Sequence, residues 1–288
     1  MAILKLIRVH QWTKNLFVLA PLFFSGQFLN QGKLVHAIYG FVCFCLAASS
    51  IYIVNDLFDA EKDKLHPTKK DRPIASGKIS KPTAIVFLTL FIVCAFGFSF
   101  YISKDLFIVI ATYFILNLFY SFGLKQISLV DVFIVSIGFV LRVAAGGVLT
   151  GIPVSHWLYI MTFLLALFIA LAKRRDDVLI LNQTGSEMRK SVKGYNLEFI
   201  SSTISILCAT LIVSYLLYII SPEVVARFQG KHPYISTLFV ILGVLRYLQI
   251  TLVKENSGSP SKILLKDLFI QIVLVLWVLF FITIIYFI

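Results

Sequence analysis

Long apolar runs, each near the roughly 20 residues a helix needs to cross a bilayer, alternate with short polar stretches along the whole chain. Nine of them read as membrane spans: 15–31, 34–57, 83–102, 106–122, 129–149, 156–172, 197–220, 233–252 and 267–287. None shows the ten-residue alternation of an outer-membrane barrel strand. The fold class is therefore an all-α integral membrane bundle. There is no internal repeat and no separable polar domain, so residues 1–288 read as a single transmembrane domain. The first run follows Lys5, Arg8 and Lys14 much as a signal peptide would, but the further spans make it an uncleaved first helix.

Composition agrees with that pattern. Of 288 residues 59% are hydrophobic and only 14% charged, with 27 Phe and 12 Tyr, against about 25% charged in ordinary soluble domains. The net charge of +12 does not point to nucleic acid, because the charges sit in short loops between apolar runs. With the N-terminus in the cytoplasm, Lys and Arg favour the inner segments by roughly five to one, as the positive-inside rule requires. The expected topology is N-terminus in and C-terminus out. It brings the segments 58–82, 173–196 and 253–266 to one cytoplasmic face, each as a loop. The four cysteines, Cys43, Cys45, Cys94 and Cys208, all lie in apolar runs without zinc-ligand company and read as small buried hydrophobes.

The second span ends in Asn55-Asp56-Leu57-Phe58-Asp59-Ala60-Glu61-Lys62-Asp63, followed by His66-Pro67-Thr68-Lys69-Lys70-Asp71-Arg72-Pro73. If the helix continues through Asp63, then Asp56, Asp59 and Asp63 share one face. Carboxylates that close repel one another unless a cation sits among them. Mg²⁺ suits the position, since it binds through a few carboxylates and completes its shell with water and substrate phosphates. Asn55 is placed to orient a carboxylate or complete the shell. Lys69, Lys70 and Arg72 suit the phosphates themselves. The pattern thus points to a Mg²⁺–diphosphate site at the inner end of a membrane helix.

Other cations extend the picture. Arg142 lies inside a span, where a charge is costly unless it faces the bundle interior or a watery cavity. It reads either as a cation holding a substrate anion or as a structural partner of Asp131, with Ala144, Ala145, Gly146 and Gly147 allowing close helix approach. Arg8, Gln11, Lys14 and Asn15 recur at helical steps around the interfacial Trp12 and suit a lipid phosphate. Lys173, Arg174 and Arg175, followed by Asp176 and Asp177, form a basic stretch after the sixth span. Tyr120, Lys125 and Arg246-Tyr247 add hydroxyls or cations near the inner interface. No P-loop, GxSxG or HExxH motif is present, and the five His form no metal pattern.

These motifs are similar to a known family. Asn55-Asp56-x-x-Asp59-x-x-x-Asp63 on the second span, with about nine spans overall, resembles the UbiA-type membrane prenyltransferases over nearly the whole chain. Within them it is most similar to the decaprenyl-phosphate phosphoribosyltransferase branch. The likeness rests on Arg8-x-x-Gln11-Trp12-x-Lys14-Asn15, on His66-Pro67-x-Lys69-x-x-Arg72-Pro73-Ile74-Ala75-x-Gly77, on Lys173-Arg174-Arg175 and on Arg246-Tyr247. Prenyl-diphosphate enzymes carry a second DxxxD motif after span six. Here that stretch reads Lys173-Arg174-Arg175-Asp176-Asp177-Val178-Leu179-Ile180, without the second aspartate. Asp177 stands where the branch commonly has Glu.

The resemblance implies a bundle around a central cavity open to the cytoplasm, in a bacterial inner or plasma membrane. It implies Mg²⁺-dependent transfer of 5-phosphoribosyl from phosphoribosyl diphosphate to a polyprenyl phosphate, releasing diphosphate and feeding pentose-lipid synthesis for the cell envelope. Asp56, Asp59 and Asp63 would be the catalytic metal ligands, and the basic residues above would bind substrate. The alternatives are an aromatic prenyltransferase using a prenyl diphosphate, and an ion-coupled transporter whose aspartates hold the coupling ion.

Overall fold

The computed structural model describes residues 2–64, 69–184, 190–228, 231–253, 263 and 266–286. His66 and Pro67 of the motif lie outside them. Among the described residues eight helices are long and apolar enough to cross a membrane. The chain divides into two compact units, residues 1–124 with 138–154, and residues 125–137 with 155–288.

In the first unit, α1 (Ala2–Leu6) leads into a 3₁₀ segment, Val9–Leu19, and a short α2 (Ala20–Phe24). The expected span 15–31 is thus not one continuous helix. Pro21 opens a new short helix, Gly26 takes a left-handed φ of 71°, and Asn30 caps the next element, so three local signals punctuate the apolar run. The capped helix is α3 (Gln31–Phe58), where the Asn30 side chain accepts the Lys33 N–H. It yields at Asp59 to the one-turn-and-a-half α4 (Ala60–Lys64). The hydrogen bonds Asp59 N–H to Asn55 O and Asp63 N–H to Asp59 O carry the helical path across that bend.

Helices α5 (Lys81–Ile102) and α6 (Lys104–Phe122) are joined by one residue, Ser103. Its extended backbone ends α5, while its hydroxyl caps α6 by accepting the Leu106 N–H. The later part of α7 (Val130–Thr150) completes this unit. Its core joins Phe44, Ala47 and Ala48 of α3 to Ala95, Ile110, Tyr113 and Ala145.

The second unit holds the start of α7, then α8 (His156–Thr184), α9 (Leu197–Ile219), the short α10 (Pro222–Phe228), α11 (Ser236–Leu252) and α12 (Leu268–Tyr286). Its core gathers Phe168, Leu171, Ile200, Ile204 and Tyr247. One expectation is corrected here. The stretch 173–184, read as a loop, continues α8. No Gly or Pro interrupts it before Gly185, and the buried charges described below find partners that let the helix carry them.

Candidate functional site

In the first unit the acidic motif is organised by two arginines. Asp56, in the last turn of α3, is 2% exposed. Its Oδ1 accepts from Arg8 Nη2 at 2.6 Å and lies 3.2 Å from Arg72 Nη1. The same Arg72 nitrogen donates to Asp63 Oδ2 at 2.7 Å, so one guanidinium bridges two of the three aspartates. Arg72 reaches them because a 3₁₀ turn, Lys69–Asp71, precedes it and its N–H bonds to the Lys69 carbonyl. Lys69 is half-buried and Lys70 exposed. Asn55 is half-buried, and its carbonyl accepts the Asp59 N–H. Outside the site, exposed Glu61 has its carboxyl held below the usual range by hydrogen bonds from Lys64 and then Lys81.

The aspartates do not converge as three. Asp59 falls at the bend, and no group of three His, Cys, Asp or Glu is poised around one point among the described residues. A divalent cation nonetheless fits. Among the described residues Asp56 Oδ2 is buried with no hydrogen-bond partner, and a buried carboxylate oxygen left so is costly unless something positive meets it. Mg²⁺ is characteristically held by one or two carboxylates, with substrate phosphates and water completing the shell. The donor set suits that ion better than it suits a cage-bound metal.

The N-terminal residues are arranged differently from an α-helical face. In a 3₁₀ helix positions three apart eclipse, so Arg8, Gln11 and Lys14 follow one line, each half-buried, while Asn15 turns inward and is 1% exposed. Asn15 meets Arg142, whose Nε donates to Asn15 Oδ1 at 2.7 Å. Arg142 Nη1 donates to the Gly138 carbonyl at 2.6 Å and Nη2 to Tyr113 Oη at 3.2 Å. Asp131 is therefore not its partner. Nearby His10 is disfavoured from protonating by burial, then by Arg8 and Lys14. Tyr120, on α6, is half-buried.

The second unit holds its own charged cluster. Asp131, fully buried, accepts from Arg174 Nε at 2.6 Å, Tyr195 Oη at 3.0 Å and Ser191 Oγ at 3.2 Å. Arg174 Nη1 also donates to Asp177 Oδ2 at 2.5 Å. Burial pushes the Tyr195 phenol up to about 12, so it stays a donor to Asp131 while accepting the Leu129 N–H at 2.6 Å. Arg175 donates to the Thr251 carbonyl at 2.7 Å. Lys173 is exposed and Lys125 half-buried. Arg246 pairs with Asp267 at 2.8 Å rather than joining this group. The hub role of Asp131 was not evident from the sequence; its signal is a carboxylate at the mouth of an apolar run, which demands a partner.

The UbiA prenyltransferase family profile matches residues 17–275. The decaprenyl-phosphate phosphoribosyltransferase of Mycolicibacterium smegmatis is 35% identical over 286 residues, covering 96% of this chain and 90% of that protein. The enzyme of the same name from Corynebacterium glutamicum is 33% identical over 279 residues, covering 96% and 84%. Among solved structures, a UbiA homologue from Archaeoglobus fulgidus bound to GPP and Mg²⁺ superposes with a TM-score of 0.72 at 21% identity, covering 99% of both chains. The chain belongs to the UbiA prenyltransferase family. It is an integral membrane transferase, which sets aside the transporter reading.

Proposed function

We propose that this enzyme transfers the 5-phosphoribosyl group of phosphoribosyl diphosphate to a polyprenyl phosphate and releases diphosphate. The observation that carries the proposal is the first unit's cluster, in which Arg8 and Arg72 flank a buried Asp56 that keeps one carboxylate oxygen unpartnered. Two guanidiniums beside a metal-competent carboxylate suit a diphosphate, since Arg forks match phosphate oxygens. Relatives of that name, similar over nearly the full chain, support the donor and acceptor.

Asp56 would hold the metal, with Asp59 and Asp63 as further candidates. The chemistry a bound Mg²⁺ supplies is neutralisation of charge on the departing diphosphate. Arg8, Arg72, Lys69 and Lys70 bind and orient the donor's phosphates. Loss of diphosphate leaves an oxocarbenium-like ribosyl carbon, as in glycosyl transfer. The acceptor is a phosphate monoester with a second pKa near about 6, so it arrives ionised at neutral pH. No side chain has to remove a proton, which accords with a cluster that holds no His or Glu base among the described residues. Gln11 and Lys14 are the candidates for the lipid phosphate. In the second unit, Lys125, Lys173, Arg174, Arg175, Asp177 and Arg246 remain candidates for substrate contact, as does Tyr120 in the first.

The test is transfer of label from phosphoribosyl diphosphate into a lipid-extractable product, with polyprenyl phosphate and Mg²⁺. Label in the lipid phase is expected. If a prenyl diphosphate and an aromatic acceptor react while this pair does not, the donor assignment is wrong.

A further inference from the structure

The N-terminal segment is strapped along α3 by one polar stripe. Cys45, Ser49, Tyr52 and Asp56 follow at steps of four, three and four, which places them on a single helix face. Each of the four meets the strap. Asn15 Nδ2 donates to Cys45 Sγ at 3.2 Å, and Trp12 Nε1 to Ser49 Oγ at 3.1 Å. Ser49 Oγ donates in turn to the Ile7 carbonyl at 2.9 Å. The Arg8 guanidinium lies 4.7 Å from the Tyr52 ring centroid and bonds to Asp56.

The strap's conformation is not one it would choose alone. Arg8 has a left-handed φ of 51°, and the 3₁₀ run behind it is 11 residues long. Runs beyond three or four residues are uncommon, and a strained backbone persists only where its surroundings over-determine it. The far end is fixed by α7. A Cβ on Gly146 would lie 2.0 Å from the Val18 carbonyl oxygen, so only Gly admits the strap there. Arg142 then anchors Asn15. All three of its guanidinium nitrogens are engaged inside the unit. The rings of Tyr113, Phe139 and Phe44 lie 4.9, 5.3 and 5.4 Å away, and the residue is 5% exposed. A phosphate would have to displace that shell to reach it.

We propose that Arg142 is a positioning residue and not a substrate ligand: through Asn15 it seats the strap, and so sets Arg8 on Asp56. The consequence for catalysis rests on the phosphoribosyl-transfer reading; the seating itself does not. The experiment uses the full chain in nanodiscs, with donor and lipid acceptor varied separately. Arg142→Met and Asn15→Leu should each raise KM for phosphoribosyl diphosphate about tenfold, as for one lost charge-assisted hydrogen bond. KM for the lipid phosphate, for which Gln11 and Lys14 of the same strap are the candidates, should rise by no more than that of the donor. Asn15→Asp, which still accepts from Arg142 Nε, should recover most of the loss. In an Arg8→Ala background neither variant should raise donor KM further. A rise in lipid KM with donor KM unchanged, a donor-KM defect that multiplies with Arg8→Ala, or no defect at all would overturn the proposal. Should Arg142→Met fail to fold, Asn15→Leu carries the same comparison. Alkylation of Cys45, followed by peptide mass spectrometry, reads the seat without activity. Faster labelling in Arg142→Met than in wild type supports it, and an unchanged rate sinks it even if wild type transfers no phosphoribosyl group.

Discussion

Arg8 and Asp56 stand 48 residues apart in the chain, yet Arg8 Nη2 lies 2.6 Å from Asp56 Oδ1. The pair joins a strained N-terminal strap to the last turn of a membrane helix. It uses only one of the two carboxylate oxygens, and the other stays buried and unpartnered. Asp56→Asn should therefore remove the charge on which, in the proposed reaction, metal and donor would both depend. A loss of transfer of about 10²-fold or more is expected, the scale seen when one electrostatic stabiliser is removed from an active site. Thermal unfolding would separate this from misfolding. Near-wild-type transfer by a folded Asp56→Asn protein would remove Asp56 from the mechanism.

Arg72 bridges Asp56 and Asp63 with a single nitrogen. Lysine keeps the charge but not the planar fork. Arg72→Lys should raise KM for the phosphoribosyl donor about tenfold, with a smaller change for the lipid acceptor. Arg72→Ala should be worse than Arg72→Lys. Equal kinetics for wild type and Arg72→Lys would mean that the bridge plays no part in donor binding.

Seven of the nine expected spans match α-helices in the structure to within a few residues, because apolar length and helix caps are local signals: Asn30, Ser80, Ser103 and Asn196 each accept the N–H three residues on. The first and sixth spans differ for reasons that are also physical. A hydropathy window averages over Pro21 and Gly26, and it cannot see that Arg174 is paired with Asp131 and Asp177 and Arg175 hydrogen-bonded to the Thr251 carbonyl, so that these charges need not end a helix. Spacing alone singled out the acidic motif as a candidate site. Its architecture was not legible, because Arg72 and Arg8 come to Asp56 from different directions along the chain. Asp131 and Tyr195 stayed hidden for the same reason: their bond spans 64 positions.

The Asp131 cluster lends itself to a stability measurement. With Arg174 5% and Asp131 0% exposed at the side chain, removal of the carboxylate takes from a buried cation one of its two carboxylates, leaving Asp177, and from Tyr195 and Ser191 their charged acceptor. Asp131→Asn should destabilise the protein by about 3–5 kcal/mol, whereas Tyr195→Phe, which deletes one hydrogen bond, should cost about 1–2 kcal/mol. Detergent-solubilised unfolding monitored by near-UV signal gives the comparison. A Tyr195→Phe effect as large as that of Asp131→Asn would show that the tyrosine, not the carboxylate, is the hub.

Metal removal bears on the acidic motif from another side. Chelation should abolish transfer, and added Mg²⁺ should restore it. Asp56 and Asp63 should not respond alike as the metal is titrated. Asp63 Oδ2 is engaged by Arg72, so Asp63→Asn should retain substantial activity at saturating Mg²⁺ while needing more of it. Asp56→Asn should stay inactive however much is added, since the unpartnered oxygen that a hard cation would seek has become part of a neutral amide. The half-saturating Mg²⁺ concentration, measured for each variant at fixed donor, decides the matter. Rescue of Asp56→Asn by excess metal, or failure of Asp63→Asn to respond to it, would place the metal on Asp63 instead.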